Sequence, residues 1–380
     1  QVFKNKAGKD KFGYKLNLFY MQARDWEAGN ADATPQSLDG KSNPGGYDAV
    51  NRYGDEYNTS MDFTGSVARY PGLARFYRTG YWEKDIVDYN SRNLKAGAAF
   101  HYKLSDSVSV IIASNFGTGT TVYQGDNRYS LKDVLFFQNR VEISKPGKYF
   151  LRAYATNEDA GKSYDAYFTA LLLQRETKKD ADWAQDYYTY YIRKYSSQIQ
   201  HFPGYPQRGD YPTYEEYIAA INPYLQQNYS DSLIKYQNAC RAWADGIGYT
   251  STNKAFLVPG TAAFDTAFQS IISRRSFSEG GSRFYDKSAL YHIQGEYKFT
   301  PSFADITIGG NGRMYRPDSK GTIFADTNNR VIKNAEFGIY TGLEKTFKQK
   351  LKVNLTARLD KNQNFEQVVR FRVINLEDLL

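Results

Sequence analysis

The stretch "NLKAGAAFHYKLSDSVSVIIASNF", residues 93–116, decides the fold. Apolar and polar residues alternate along it, and the two residues "SD" at 105–106 interrupt the alternation only briefly. A period of two predicts a β-strand with one apolar and one polar face, and so short an interruption predicts an antiparallel hairpin. The apolar face of the first strand holds Leu94, Ala96, Ala98, Phe100, Tyr102 and Leu104.

The same alternation recurs in seven more stretches, so we predict nine strands of roughly ten residues. Such strands are longer than the ~5–6 residues usual in globular proteins, and they match the ~9–11 residues that a tilted strand needs to cross a bilayer. The seven stretches are 12–21, 135–144, 149–156, 289–299, 304–314, 334–345 and 351–360.

The connections between the strands alternate between short and long. The short ones lie at 105–106, 145–147, 300–302 and 345–350, and the long ones at about 22–92, 117–131, 158–287 and 315–331. An outer-membrane barrel has this pattern, with short periplasmic turns and long extracellular loops. Aromatic residues also cluster on the apolar face near the short turns. They form either an interfacial aromatic belt or part of a sandwich core. These residues are Phe12, Tyr14, Phe100, Tyr102, Tyr149, Tyr297 and Phe299.

The composition argues against several functional classes. A single cysteine, Cys240, rules out a disulfide framework and a cysteine zinc site, and three separated histidines disfavour a histidine metal cluster. The net charge of +8 is spread along the chain, so nucleic acid is not an expected partner. We expect no cofactor. No apolar run is long enough for a membrane-spanning helix, and we expect no secretory signal at the start.

The long segment 158–287 has helical periodicity. Predicted helices cover 179–200, 212–225, 230–248 and 260–275, with Thr213 and Thr261 as N-caps. We interpret the segment as a helical elaboration on the extracellular side, or else as a separate soluble domain inserted in a loop. Nine strands cannot close a bacterial barrel, whose strand number is even, so we expect the chain to be part of a longer protein.

Several phrases resemble TonB-dependent outer-membrane receptors of the Bacteroidetes type. They are "NPGGYDAVNRYGDEYN" (43–58), "YRTGYWEKDIVDYN" (77–90), "VYQGDNRYSLKDV" (122–134) and "YTGLEKTFKQKLKVNLTARLDKNQNF" (340–365), and the resemblance covers about residues 10–365. It implies an all-β fold, about nine strands of a 22-stranded antiparallel transmembrane β-barrel without its plug. The implied division is barrel strands in 1–157 with an extracellular loop at 22–92, a largely helical extracellular region at 158–287, barrel strands in 288–361, and a doubtful tail at 362–380.

The resemblance also implies a function. The protein would bind an extracellular nutrient and import it to the periplasm with energy transmitted by TonB, and it would not be an enzyme. Expected partners are outer-membrane lipid, the TonB complex acting through the plug, a surface substrate-binding lipoprotein, and an oligosaccharide, peptide or other small ligand. The alternative is a non-transporting outer-membrane barrel that serves as a surface glycan-binding protein or adhesin. A soluble lectin or glycosidase is a third interpretation, although Asp133, Glu142, Glu158 and Asp159 have no spacing that singles out an acid and a base.

Candidate site residues follow from these placements. Exposed loop aromatics stack on ligand rings or pack the loops together, and the candidates for ligand contact are Tyr47, Tyr53, Trp82, Tyr123 and Tyr129. Asp48, Asp55 and Glu56 are predicted to pin their loop, with weak calcium binding as the alternative. The residues predicted to face the lumen are Lys95, His101, Arg140, Glu142, His292, Glu296, Arg313 and Arg358.

Overall fold

The computed structural model describes residues 1–125, 128–250, 252–347 and 351–376, with side chains up to residue 370. Within these residues most of the chain outside the long loops is β-strand. The strands are β1 (Val2–Lys4), β2 (Asp10–Arg24), β3 (Arg52–Tyr53), β4 (Tyr81–Trp82), β5 (Asn90–Lys103), β6 (Ser109–Gln124), β7 (Arg128–Lys145), β8 (Tyr149–Asp159), β9 (Tyr164–Asp165), β10 (Ala289–Phe299), β11 (Asp305–Arg316), β12 (Asn334–Phe347), β13 (Leu351–Asn362) and β14 (Val368–Leu376).

Twelve of these strands form one antiparallel sheet. Its order is β1-β2-β5-β6-β7-β8-β10-β11-β12-β13-β14, with β9 paired to the outer end of β7. The all-β antiparallel fold and the nine predicted strands are confirmed, and β14 adds a strand inside the tail at 362–380. Among the described residues, β1 and β14 each pair with a neighbour on one side only.

The β6–β7 connection differs from the prediction. The long loop predicted at 117–131 is instead a continuation of both strands, so that β6 and β7 have 16 and 18 residues. The register shifts between Gly119 and Thr121, where a bulge bends the hairpin. Glycines 117 and 119 hid the strand signal, whereas Val122 and Tyr129 beyond them have good β propensity.

The register keeps each face continuous from strand to strand. Directly opposite residues in an antiparallel pair point to the same side of the sheet. Val141 lies opposite Ala153, which lies opposite Ile293, so these apolar side chains share one face. One residue along the same strands, Glu142 lies opposite Arg152 on the other face. We call these the apolar face and the polar face.

The helices lie mostly in the predicted insertion. Two predicted helices, 212–225 and 230–248, are one helix that passes through Pro223 and is kinked at Tyr229. The predicted helix 179–200 is two helices joined by a π-helical turn. Thr213 and Thr261 cap their helices as predicted. The helices are α1 (Glu83–Ile86), α2 (Ala166–Arg175), α3 (Asp180–Tyr191), α4 (Ser197–Gln200), α5 (Tyr214–Asp245) and α6 (Ala262–Ser273).

The β2–β5 loop and the helical insertion share a core. Phe76, from the loop, stacks on Tyr187 of α3 with ring centroids 4.2 Å apart. A second buried cluster joins Tyr81 to Phe256 and Phe264. The two long connections therefore form one packed layer at the same end of the sheet. We call this the loop layer. Within the described residues, none of the helices combines the length and apolar character needed to cross a bilayer.

Candidate functional site

The polar face carries ion pairs and hydrogen bonds that run from strand to strand. Glu142 on β7 pairs with Arg152 on β8 at 2.7 Å, and Arg313 on β11 pairs with Glu336 on β12 at 2.9 Å. Tyr340 donates to Glu296 across two strand spacings at 2.7 Å. Because partners of opposite charge sit on adjacent strands, this part of the face is mixed in sign rather than selective for one sign of charge.

Three other residues of the polar face have no ion-pair partner in the described part of the chain. Lys95, His101 and Arg140 lie on the same face by register, but they form no ion pair with any described residue. The Lys95 ammonium lies 5.7 Å from the centre of the Phe19 ring. The eight residues predicted to face the lumen therefore share one face. Four of them are joined to partners on strands β7–β13, and these three have no ion-pair partner among the described residues.

His292 is the remaining one of these eight residues. It is only 7% exposed, and the edge of its ring meets Tyr154 at a centroid distance of 4.8 Å. Neither ring nitrogen has a hydrogen-bond partner among the described residues. Arg313 lies directly opposite His292 in the register. Buried polar groups normally find partners. The two ring nitrogens of His292 are therefore unsatisfied buried polar atoms on the polar face.

The apolar face is exposed along its whole width. Leu18 on β2 is 77% exposed, Ile293 on β10 is 53% exposed, and Ile339 on β12 is 57% exposed. Water-soluble monomers rarely expose contiguous apolar patches of more than a few hundred Å². This face therefore points to a surface made for contact with something apolar.

The stretch 45–56 lies beneath the helices, where its acidic side chains hold the loop. Asp55 is fully buried, pairs with the Arg52 guanidinium at 2.5 Å and accepts from the Ala49 N–H at 3.1 Å. Asp48 accepts from the Thr34 hydroxyl at 2.8 Å, and Glu56 accepts from the Gly54 N–H at 3.1 Å. Burial raises the pKa of Asp55 and of Glu56 to about 7.

Glycine is needed at Gly54, where φ is +91° and a Cβ atom would collide with the Gln174 side chain. Gln174 of α2 donates to the Gly54 carbonyl at 2.6 Å, which locks this loop to the insertion. Among the described residues, no three His, Cys, Asp or Glu side chains are grouped so that they could hold a metal ion. The contacts of Asp48, Asp55 and Glu56 are thus those of groups that pin a loop.

Glu83 organises the loop layer and was not predicted from the sequence. It is fully buried and accepts hydrogen bonds from the hydroxyls of Tyr53 and Tyr89 at 2.6 and 2.7 Å. Arg128, at the start of β7, pairs with it at 3.0 Å. Its partners are as far as 45 residues away, so spacing gave no signal for this role. Glu83 therefore joins the β2–β5 loop to the β6–β7 hairpin.

The five aromatic candidates for ligand contact fall into two groups. Tyr47 donates to the Ala31 carbonyl at 2.6 Å, and both Tyr47 and Trp82 lie against the Arg52 guanidinium. Together with Tyr53, they pack within the loop layer. Tyr123 and Tyr129 stack at the tip of the β6–β7 hairpin, with ring centroids 6.4 Å apart. Tyr123 is the more exposed member of this pair, at 54%.

A cavity of about 710 Å³ opens beside Trp26, where β2 leaves the sheet. Trp26 is 86% exposed, and Asp25, Glu27 and Arg128 lie beside it. An exposed indole flanked by carboxylates and a guanidinium can stack on a ring and hydrogen-bond to its substituents. The acid-flanked tryptophan in "RDWEAGN" (24–30) is a sequence signal for this cavity, although strand periodicity alone does not reveal it.

The described residues form a broad antiparallel sheet with one polar face and one exposed apolar face, and the loop layer packs at one end of this sheet. Two solved structures are similar to it in part, and both are crystal structures of the siderophore receptor PirA. The receptor from Pseudomonas aeruginosa has a TM-score of 0.36 and 7% identity, covering 75% of this chain and 30% of that one. The receptor from Acinetobacter baumannii has a TM-score of 0.34 and 10% identity, covering 77% and 32%.

The chain spans about a third of the length of either receptor. No family model matches the sequence, and no curated protein does.

Proposed function

We propose that the protein is an outer-membrane receptor that binds an extracellular nutrient and imports it to the periplasm with energy transmitted by TonB. One observation carries the proposal: an apolar face, interrupted by the Ser114–Asn139 pair on β6 and β7, is left exposed across the long strands of the sheet while the opposite face is largely polar. A soluble sandwich would cover this face with a second sheet. A bilayer covers it with hydrocarbon chains.

The strand lengths support the same conclusion. Strands β10 and β11 have 11 and 12 residues, which correspond to roughly 36–40 Å at ~3.3 Å per residue. A barrel strand tilted by about 45° would then rise about 25–28 Å, close to the ~25 Å apolar band of outer-membrane barrels. Backbone groups pair between neighbouring strands, as a membrane requires.

The loop layer supports a receptor rather than an open pore. Its two buried clusters make it a folded structure at one end of the sheet, and Tyr123 and the cavity beside Trp26 are exposed there. These are the surfaces that we assign to ligand capture. The candidate ligand classes are oligosaccharides, peptides, metal chelates and vitamins. The polar face, including Lys95, His101, Arg140 and Arg358, would then face the lumen.

The remaining parts of the proposal come from the sequence phrases. They imply the Bacteroidetes type of receptor, a plug that contacts TonB and is not among these 380 residues, and a substrate-binding lipoprotein as a surface partner. In this proposal the protein itself catalyses no reaction and needs no cofactor.

Energy-dependent uptake tests the proposal. Cells with and without the full-length gene would receive one mixture of oligosaccharides, peptides, ferric chelates and vitamins, and mass spectrometry would follow depletion from the medium and accumulation in the periplasm. We expect one class to accumulate only in cells that carry the gene, and this accumulation to stop when a protonophore collapses the inner-membrane gradient. Surface binding without accumulation would instead support the adhesin alternative. Accumulation unaffected by the protonophore would contradict energised transport.

A further inference from the structure

A cation-lined cavity lies at the upper edge of the apolar face. We call it the rim cavity. It has a volume of about 680 Å³ and lies where the β8–β10 and β11–β12 connections leave the sheet. Its cationic side chains are Arg275, Lys287, Arg316, Lys320 and Arg330, and its carboxylates are Asp318 and Asp326. The cavity is therefore suited to an anion.

Arg316 shows which side of the sheet the cavity opens to. In the register Arg316 lies opposite Ala289, two residues beyond Met314, and it therefore belongs to the apolar face. Arg316 and Arg330 are both exposed, and neither guanidinium makes an ion pair or hydrogen bond with a described residue. Two cations are thus available to an outside ligand on the side that the proposed function assigns to lipid.

The other charges of the rim cavity are largely committed to the protein. Lys320 pairs with Asp318 at 2.8 Å, and Lys287 pairs with Asp159 at 3.2 Å. Asp326 accepts from the N–H groups of Lys320 and Gly321 at 3.1 and 2.7 Å. Burial alone would raise the pKa of Asp326, but its hydrogen bonds lower it to about 2. Asp326 holds its loop in shape and leaves Arg316 and Arg330 unpaired.

The height of the cavity matches a lipid headgroup. From Ile306, beside the short turn, to Arg316 is ten residues along β11, or roughly 33 Å at ~3.3 Å per residue. At the same tilt of about 45° this is about 23 Å above the first apolar residue, close to the ~25 Å at which the apolar band of a barrel ends. The rim cavity therefore lies at the outer interface of the proposed membrane span.

An apolar groove begins where the rim cavity ends. The two share Tyr291, and the groove, of about 720 Å³, continues across β6 to β12. Its floor is made of small residues such as Ala153, Ala155 and Gly312, and its walls include Val141, Ile293 and Phe337. Ser114 and Asn139 form a polar pair at the β6–β7 end of the groove. A charged cavity joined to a long apolar groove fits an amphiphile with an anionic head and a hydrocarbon tail.

We propose that the rim cavity and the apolar groove together bind a phosphorylated lipid, with its phosphate at Arg316 and Arg330 and an acyl chain along the groove. Phosphate offers several acceptor oxygens to the planar guanidinium fork. Basic pockets beside membrane-spanning surfaces bind lipid phosphates in the same way. The inference rests on the proposed function, because it needs the apolar face to lie in a bilayer.

The test uses the full-length protein purified from outer membranes into bilayer nanodiscs of phosphatidylcholine doped with phosphatidic acid. Native mass spectrometry would count the lipids retained. We expect wild type to retain phosphatidic acid in clear preference to phosphatidylcholine, and R316Q/R330Q to lose about 30-fold in affinity for it, the effect expected for two cations at a membrane surface. The matched control is K194Q/K235Q, which removes two exposed lysines from α5 and the neighbouring π-helical turn and should retain the lipid.

Three results would overturn the inference. These are no preference for phosphatidic acid in wild type, an equal loss in the control, and displacement of the lipid by millimolar inorganic phosphate, which would identify a site for free anions. If the protein is found in the membrane but has no lipid preference, this inference alone fails. If it does not span the membrane at all, the proposed function fails with it.

Discussion

His292 and Ile293 are neighbours on β10, yet they occupy opposite environments. His292 is 7% exposed on the polar face beside Tyr154, whereas Ile293 is 53% exposed on the apolar face. Successive side chains of a strand point to opposite sides. In β10 one side is polar, and the other side is apolar and exposed. The proposed membrane span depends on this difference.

Ile293 lies near the middle of the apolar band, so Ile293→Arg should be costly in a bilayer. We expect a loss of about 2–4 kcal/mol in the free energy of unfolding, the cost of a cation at the lipid midplane of a barrel. Gln294→Arg is the matched control, because Gln294 lies on the polar face opposite Arg152 and Asn311. Urea unfolding of the full-length protein in vesicles measures both. Equal losses in the two variants would contradict the assignment of faces.

Glu83→Gln should loosen the loop layer. The substitution removes the charge that pairs with Arg128 and accepts from Tyr53 and Tyr89, and we expect a loss of about 1–3 kcal/mol because buried partners are left unsatisfied. Hydrogen exchange should accelerate at residues 51–53 and 89. Asp85→Asn, on the same short helix, removes a carboxylate that has no ion-pair partner among the described residues and should leave exchange unchanged. Unaltered exchange in Glu83→Gln would show that Glu83 does not hold these segments together.

The loop at 45–56 should be more stable in mild acid. Asp55 is buried, and its Oδ1 atom has no partner among the described residues, so burial outweighs the attraction of Arg52 and raises its pKa to about 7. Burial also raises the pKa of Glu56 to about 7. An acid whose pKa is higher in the folded state contributes stability below its unfolded pKa, and this contribution is lost as pH rises toward 7.

Hydrogen exchange of residues 45–56, corrected for intrinsic rates, would measure this effect between pH 4.5 and 7.5. We expect protection to fall as pH rises in wild type, and the slope to flatten in D55N/E56Q. Protection that rises with pH, or the same slope in the double variant, would show that these carboxyls are ionised in the folded loop throughout this range.

Lys178 and Asp186 form a buried ion pair at 2.7 Å within the helical insertion. Lys178 also donates to the carbonyls of Ala244 and Gly246 at 2.7 and 2.9 Å. Lys178→Met should cost about 3–5 kcal/mol because Asp186 keeps a buried, unpaired charge, and adding Asp186→Leu should recover part of the loss. Lys179→Met, at the exposed neighbouring position, is the control for thermal unfolding followed by near-ultraviolet circular dichroism. An additive double variant would indicate that the two charges do not interact.

The sequence was informative where the structure depends on a local period. Ile293 and His292 could be assigned to opposite faces because the strand period is two, and Thr213 could be assigned as a cap because its partner Glu216 is three residues away. The extension of β6 and β7 into the predicted loop at 117–131 was missed because Gly117 and Gly119 interrupt the apolar pattern. The continuity of α5 between the predicted helices 212–225 and 230–248 was missed because Ser230 and Asp231 are residue types that commonly cap the start of a new helix.

The contacts of the site depend on residues that are far apart in the chain. Glu83 meets Arg128, and Gln174 meets Gly54, across 45 and 120 residues. Periodicity carries no information on such pairs, because tertiary packing decides them. The rim cavity was not predicted for the same reason: Arg275, Arg316 and Arg330 are far apart in the chain and come together only in the folded connections.

The central claim is that the apolar face contacts lipid, and paired labels on β10 test it most directly. In full-length protein with every native cysteine, including Cys240, replaced by serine, single cysteines at Ile293 and Gln294 would carry an environment-sensitive fluorophore in native outer membranes. We predict that the label at 293 is quenched by nitroxide-bearing lipid and protected from aqueous iodide, while the label at 294 gives the opposite response. Quenching of the label at 293 by iodide but not by the lipid would contradict the account.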